Sequence, residues 1–189
     1  MRAGLAVFAL LLAWFPASAA ACESRAVGLP QHGRLVCGVQ LPADDDALVS
    51  WDGVLKRSPD RGWRRYGTQK LIDTIELIAI DYGRRFPIGP RLVVGDLSRK
   101  GGGDIDGHAS HENGLDADIY YPRKDGLEAG PDSIQQVDRR RAQWLVDRAA
   151  RLPDAQFVFI GPHVGLRRPR PFVEYLVNHD NHLHLRIRR

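Results

Sequence analysis

The chain has 189 residues, 27 Lys and Arg against 23 Asp and Glu for a net charge of +4, and 43% hydrophobic residues. That is enough chain for one domain with its own core and too little for two ordinary domains. The charge excess is mild, and no internal repeat or low-complexity tract interrupts the sequence.

Met1 and Arg2 precede an apolar run from Leu5 to Phe15, then Pro16 and the small residues Ala17 to Ala21. This reads as a secretory signal peptide over residues 1–21, with A-x-A cleavage sites after Ala19 or Ala21. The apolar run is about half of the ~20 residues that a membrane span needs. No later segment is apolar for long enough, so the mature domain, residues 22–189, is expected to be soluble outside the cytoplasm, with no transmembrane segment. Cys22 and Cys37 are the only two cysteines. In an oxidising compartment they are expected to pair, which in the chain-entropy model contributes roughly 3 kcal/mol. The alternative is a lipidated Cys22, although Ala19 stands where a lipoprotein signal ordinarily has Leu.

Gly28 to Pro42, rich in Gly and Pro, reads as extended wrapping chain, and Asp44-Asp45-Asp46 as a surface turn. Lys56-Arg57, Arg61 and Trp63-Arg64-Arg65-Tyr66 mix cations with aromatics, a pattern that in a cytoplasmic protein would suggest nucleic acid. Export argues against that partner, and the segment reads as a solvated Arg-rich face. From Thr68 the spacing of Leu71, Ile75, Ile78 and Tyr82 predicts a helix with Thr68 as N-cap, ended by Gly83 and Pro87. A strand over Leu92 to Leu97 follows, and Gly101-Gly102-Gly103 opens a loop running to about Gly114. A second helix is expected over Ile134 to Arg151, with Val137, Trp144, Leu145 and Ala149 inward and Pro153 as its stop. Phe157 to Ile160 reads as a buried strand, Pro171 to Asn178 as a short helix, and His182 to Ile187 as a final strand. Helices and strands mix without βαβ alternation, which favours an α+β fold with a central, mostly antiparallel sheet.

The last strand alternates strictly: Leu183, Leu185 and Ile187 share one face, and His182, His184 and Arg186 the other. Leu115 to Tyr120 alternates in the same way, with Asp116 and Asp118 opposite Leu115, Ala117 and Ile119. Just upstream, Gly107-His108-Ala109-Ser110-His111-Glu112-Asn113-Gly114 sets two more histidines in a glycine-bounded loop. Four of the seven histidines thus fall into patterned neighbourhoods. A zinc hydrolase uses three His or carboxylate ligands and leaves the fourth position to water, and His111, Asp118 and His184 supply such a set. Asp116 or Asp180 can orient a ligand imidazole, and His182 is the candidate base or transition-state stabiliser. His32 and His163 have no patterned neighbourhood and read as ordinary surface or core histidines. No H-E-x-x-H, phosphate-binding loop, calcium hand or nucleophile elbow around Ser110 is present.

The run from Gly107 to Asp118, together with His179-Asp180-Asn181-His182-Leu183-His184, resembles the penicillin-insensitive murein endopeptidases. That family belongs to the wider lysostaphin, D-Ala-D-Ala metallopeptidase and hedgehog group, with its H-x6-D and H-x-H zinc motifs. Gly33-Arg34-Leu35 and Gly38 to Pro42 extend the resemblance over nearly the whole mature chain. It implies a small α+β fold flanked by helices with one zinc on the sheet face, acting in the periplasm on peptidoglycan peptide stems. The reaction implied is hydrolysis of D-alanyl-diaminopimelyl amide crosslinks by zinc-bound water. By position, His111, Asp118 and His184 match the zinc ligands and His182 the catalytic histidine. His108 and His179 match histidines beside the metal, His108 as a possible further ligand, and Ser110 is grouped with the residues near substrate. Members with a second zinc between subunits use residues between the two motifs; this chain has no histidine between His111 and His163, so that site is not expected. The same zinc site also serves D,D-carboxypeptidases and dipeptidases, and a non-catalytic cell-wall-binding module would keep its shape. The ligand types would also accept Co²⁺ or Mn²⁺, and nothing in the pattern sets an oligomeric state.

Overall fold

In the computed structural model, which describes residues 22–189, the chain first doubles back as a hairpin of β1 (Arg25–Leu29) and β2 (His32–Val36). The expected signal peptide lies outside the described residues. The hairpin's base is closed by the Cys22–Cys37 disulfide, Cα atoms 6.0 Å apart. A short β3 (Val39–Gln40) follows and later pairs with β5 (Tyr66–Gly67). The stretch expected to be merely extended is therefore a stapled hairpin plus a second small ladder.

After β4 (Leu48–Ser50) and a single 3₁₀ turn at Gly62–Arg64, the chain enters α1 (Gln69–Arg85). The Thr68 hydroxyl accepts from the Leu71 N–H, as an N-cap should. The expected stripe of Leu71, Ile75, Ile78 and Tyr82 is fully buried. The helix does not stop at Gly83 but runs to Arg85, and Phe86 leaves it at φ −131° and ψ 64°. Pro87 explains this, since its ring disfavours the helical conformation in the residue before it.

The remaining elements are β6 (Leu92–Val94), β7 (Asp116–Tyr120), α2 (Arg139–Ala149), β8 (Ala155–Ile160), β9 (Val173–Tyr175) and β10 (His182–Ile187). Three expectations need correction. The strand from Leu92 ends at Val94, because Gly95 and Asp96 bond to Asp118 outside regular strand geometry. The second helix starts at Arg139, not Ile134, because the Asp138 carboxylate caps it by accepting from the Arg140 and Arg141 N–H groups. The expected helix over 171–178 is instead β9, because Val173, Glu174 and Tyr175 pair in parallel with Val158, Phe159 and Ile160.

The main sheet has the order β4-β6-β7-β10-β8-β9. Its three central pairings are antiparallel and the pairings at its two edges parallel. Helices α1 and α2 touch each other and pack on β6 and β8 respectively. Their apolar stripes meet Ala117, Ile119, Leu183, Leu185 and Ile187 in one cluster. Tyr82, Phe86 and Trp144 close the seam between the helices with ring centroids 5.2–5.9 Å apart. The core thus fixes which face of β7 and β10 is left for other chemistry. Among the described residues no helix is long and apolar enough to cross a membrane.

Candidate metal centre

On β10, His184 lies directly across from Asp118 of β7, with His182 opposite Tyr120 and Arg186 opposite Asp116. With the apolar alternates committed to the core, Asp116, Asp118, His182, His184 and Arg186 all face the other way. The glycine-bounded loop brings His108 and His111 over them. His111 adopts φ +72°, a left-handed conformation disfavoured for a residue with a Cβ. It is held there from both ends: its N–H donates to Asp116 Oδ2 at 3.0 Å, and its carbonyl accepts from the Ser98 hydroxyl. Gly114, at φ +77°, closes the loop where a Cβ would lie 2.7 Å from the Leu35 side chain.

Hydrogen bonds to the outer ring nitrogens set which lone pairs converge. His111 Nδ1 is 3.1 Å from the Leu97 carbonyl, which only accepts, so Nδ1 carries the proton and Nε2 is free. His184 Nε2 is 3.2 Å from Asp116 Oδ1, which turns Nδ1 toward His111 and Asp118, where a metal would displace its proton. These two nitrogens are 3.2 Å apart, and they lie 3.4 and 3.1 Å from Asp118 Oδ1. Tetrahedral ligand atoms with zinc bonds of ~2.0–2.1 Å sit about 3.3–3.4 Å from one another, so the triangle has the size of one tetrahedral face. A second, overlapping group able to hold a metal comprises His108, His111 and Asp118, with ligand atoms within 4.8 Å of each other. His108 Nε2 approaches the other carboxylate oxygen, Asp118 Oδ2, at 3.2 Å.

The electrostatics follow from this packing. Burial opposes ionisation of Asp116 and Asp118, but the surrounding imidazoles, with Arg186 on Asp116, outweigh it and hold both carboxyls well below the usual range. Burial likewise opposes charge on His184, yet Asp116 and Asp118 prevail and push it up to about 9. His108 is raised by Asp118 and Asp96 against the pull of burial. For His182 burial prevails over the Asp118 charge and pushes it down to about 4. His179 is also lowered by burial.

The donors open onto a cleft of about 620 Å³ whose lining includes Gln31, Ser110, Phe159, Val177, His179 and His182. A larger hollow of about 990 Å³ lies between Cys22–Ala26 and α1, but it contains no histidine. His179 is in the cleft, its ring 4.8 Å from that of His182, and its Nδ1 meets the Val177 carbonyl at 2.8 Å. Of the two carboxylates expected to orient a ligand, Asp116 meets the His184 ring, with Oδ1 3.2 Å from Nε2. Asp180 instead turns to His163, accepting from its backbone N–H at 3.1 Å and meeting its ring at 2.8 Å. Arg186, placed by the sequence on the same face as His182 and His184 but given no role there, grips Asp116 through Nε at 2.6 Å and Nη2 at 3.1 Å. Its place on the polar face of β10 was the available signal.

The Arg-rich segment is only in part the solvated face expected of it: Lys56 and Arg57 are exposed, whereas the later arginines turn inward. Arg64 is 1% exposed and pairs with Asp96, Arg65 donates to the Leu41 carbonyl, and Arg61 pairs with Asp52. Three guanidinium groups, from Arg61, Arg64 and Arg99, stand 5.1–5.5 Å from the Trp63 ring. Arg61, Arg64 and Arg65 are spent on internal partners.

Residues 26–159 match the family model described as penicillin-insensitive murein endopeptidase, a span that contains His108, His111 and Asp118 and ends before β10. Among curated proteins, the chain is 28% identical over 156 residues to the penicillin-insensitive murein endopeptidase of Haemophilus influenzae, covering 66% of this chain and 52% of that one. The protein of the same name from Yersinia pestis is 27% identical over 192 aligned residues, covering 85% and 67%. That of Salmonella arizonae is 25% identical over 221, covering 94% and 76%. The chain therefore spans about half the length of the Haemophilus relative.

Proposed function

This chain belongs to the penicillin-insensitive murein endopeptidase family, and from that premise we propose that it is a zinc metallo-endopeptidase that hydrolyses D-alanyl-diaminopimelyl amide crosslinks between peptidoglycan peptide stems. The observation that carries the metal part of the reading is the triangle of converging donor atoms His111 Nε2, His184 Nδ1 and Asp118 Oδ1, with edges of 3.1–3.4 Å. Two imidazoles and one carboxylate are donors that suit zinc. A zinc ion held there would supply Lewis-acid polarisation of a carbonyl and activation of a water.

The chain's own residues supply the rest. Asp116, fixed by Arg186, orients His184 and the His111 backbone together. His182 is the proposed proton carrier. Its Nδ1 lies 2.6 Å from Asn181 Oδ1, which turns Nε2 toward Asp118 Oδ1 at 3.6 Å, beside the triangle yet outside it. A neutral ring so placed can take a proton from the attacking water and return it to the departing amine. His179 and Ser110 line the same cleft and are placed to touch substrate. His108 belongs to the alternative donor group with His111 and Asp118. The disulfide and the leader-like N-terminus support a periplasmic site of action.

The test is mass spectrometry of purified crosslinked muropeptides incubated with the protein, with chelator and then with zinc restored. Conversion of dimers to monomers that is lost with chelator and regained with zinc is the expected result. Release of free D-alanine instead would make the protein a D,D-carboxypeptidase or dipeptidase, and intact dimers with zinc bound would make it a binding module.

A further inference from the structure

His111 stands in both candidate donor groups, and the residue after it leaves the site for another part of the fold. Glu112 turns to the β1–β2 hairpin and meets it twice: its N–H donates to the Pro30 carbonyl at 2.9 Å, and its Oε2 accepts from the Gly33 N–H at 3.0 Å. The Glu112 carbonyl accepts from the Gly103 N–H at 2.9 Å, which closes the neck of the loop that carries His108 and His111. Beside that neck the Leu35 N–H of β2 donates to the Gly101 carbonyl at 2.9 Å. Gly102, at φ +74°, admits the approach, because a Cβ there would collide with the Glu112 carbonyl oxygen and the Leu35 nitrogen. The glycine run 101–103 is thus the joint at which hairpin and loop meet backbone to backbone. The base of the hairpin is closed by the Cys22–Cys37 disulfide, and its turn carries Gln31 to the cleft.

We propose that Glu112 is a positioning residue of the metal centre: it fastens the His111 loop to the disulfide-closed hairpin, and that frame holds His111 in its left-handed conformation beside Asp118. The sheet grips His111 from one side, through Asp116 Oδ2 and the Ser98 hydroxyl. A residue with a Cβ stays at φ +72° only where its surroundings over-determine it, and the hairpin supplies the second side. The inference rests on the reading of His111 as a metal ligand, and it holds whichever of His108 and His184 completes the set.

The experiment compares Glu112→Ala, Glu112→Gln and the pair Cys22→Ser with Cys37→Ser against the wild type. Two readouts are taken well below Tm: amide hydrogen exchange of the metal-free protein, and the zinc Kd from chelator competition. Glu112→Ala is expected to speed exchange at Gly33 and also at His111, whose N–H bonds to Asp116 and not to the hairpin. The same variant should raise the zinc Kd roughly tenfold, the scale for losing a group that orients a ligand. Glu112→Gln keeps an acceptor oxygen at the same reach and should restore most of both. Removing the disulfide should move both readouts in the direction of Glu112→Ala, and the combination should cost less than the product of the separate effects, because both act through one frame. Faster exchange confined to Gly33, a wild-type Kd in Glu112→Ala, Glu112→Gln as impaired as Glu112→Ala, or fully multiplicative losses would each overturn the proposal. If the cysteine pair does not fold, the two Glu112 variants decide alone. Wild-type protein that binds no zinc would instead sink the metal reading of the previous subsection, while exchange at His111 still decides whether Glu112 holds it in place.

Discussion

On β7 and β10 successive residues go to opposite destinations that are almost equally dry. Ala117, Ile119, Leu183 and Leu185 are 0–1% exposed against the helices, while Asp116, Asp118 and His184 are 0–6% exposed on the other face. The first set is stabilised by leaving water, and the second is destabilised by it unless every charge finds a partner. Asp116 shows how completely the partners are supplied: His184, Arg186 and the His111 N–H all converge on one carboxylate. The apolar face holds the strands in place, and the polar face uses that rigidity to hold donor atoms at fixed separations.

If the two faces have these separate duties, changes on them should separate metal binding from folding. His184→Ala is expected to have the largest functional effect, eliminating stoichiometric zinc and muropeptide hydrolysis together, read by metal analysis and product mass spectrometry. Zinc retained at full stoichiometry would break the comparison at its centre. His182→Ala should keep its zinc while hydrolysis falls by roughly 10²–10⁴-fold, the range for losing a general acid–base group; loss of the metal in this variant would move His182 into the ligand set. Leu185→Ala, one residue from His184 but facing the helices, should cost about 2–5 kcal/mol in denaturant unfolding. The folded fraction should still bind one zinc.

The smallest effect concerns a buried carboxyl whose cations do not prevail. Burial and the Asp96 charge push Asp60 up to about 7 against an ordinary 3.8. Its folded-state pKa is raised, so the folded protein retains a proton that the unfolded chain releases. The stability linked to Asp60 is therefore fully present below pH ~4 and is lost as pH rises through about 7. Relative to Asp60→Asn, the wild-type Tm should decline across that window, and parallel Tm–pH curves would show that Asp60 is paired as well as Asp116 is.

How much of this was legible depended on the range of the determining interaction. The period-two pattern of His182 to Ile187 marks a strand with the bounds observed, and it puts His182, His184 and Arg186 on one face before any packing is known. Likewise the spacing of Leu71, Ile75, Ile78 and Tyr82 announces α1, because helix geometry alone puts those residues on one stripe. By contrast, Val173–Tyr175 is a strand only because β8 offers it a parallel edge. Arg64 and Arg65, beside Trp63 and Tyr66, look like a solvated cationic surface until Asp96 and the Leu41 carbonyl are brought to them.

By itself, then, the sequence determined which residues share a face: the two carboxylates of β7, the two histidines of β10, and the glycines that let a loop carry His108 and His111. Backbone periodicity sets those relations over a few residues, and no distant contact is needed to read them. The tertiary structure alone decided what meets each imidazole from behind. The Leu97 carbonyl meets His111 Nδ1, Asp116 meets His184 Nε2, and Arg64 and the Asp106 carbonyl both reach His108 Nδ1. Asp180, four residues before His184 in sequence, is drawn to His163 instead, while Asp116, sixty-eight residues away, orients the ring. A ring nitrogen's capacity to bind metal depends on where its proton resides, and that is fixed by hydrogen bonds between segments that only folding brings together.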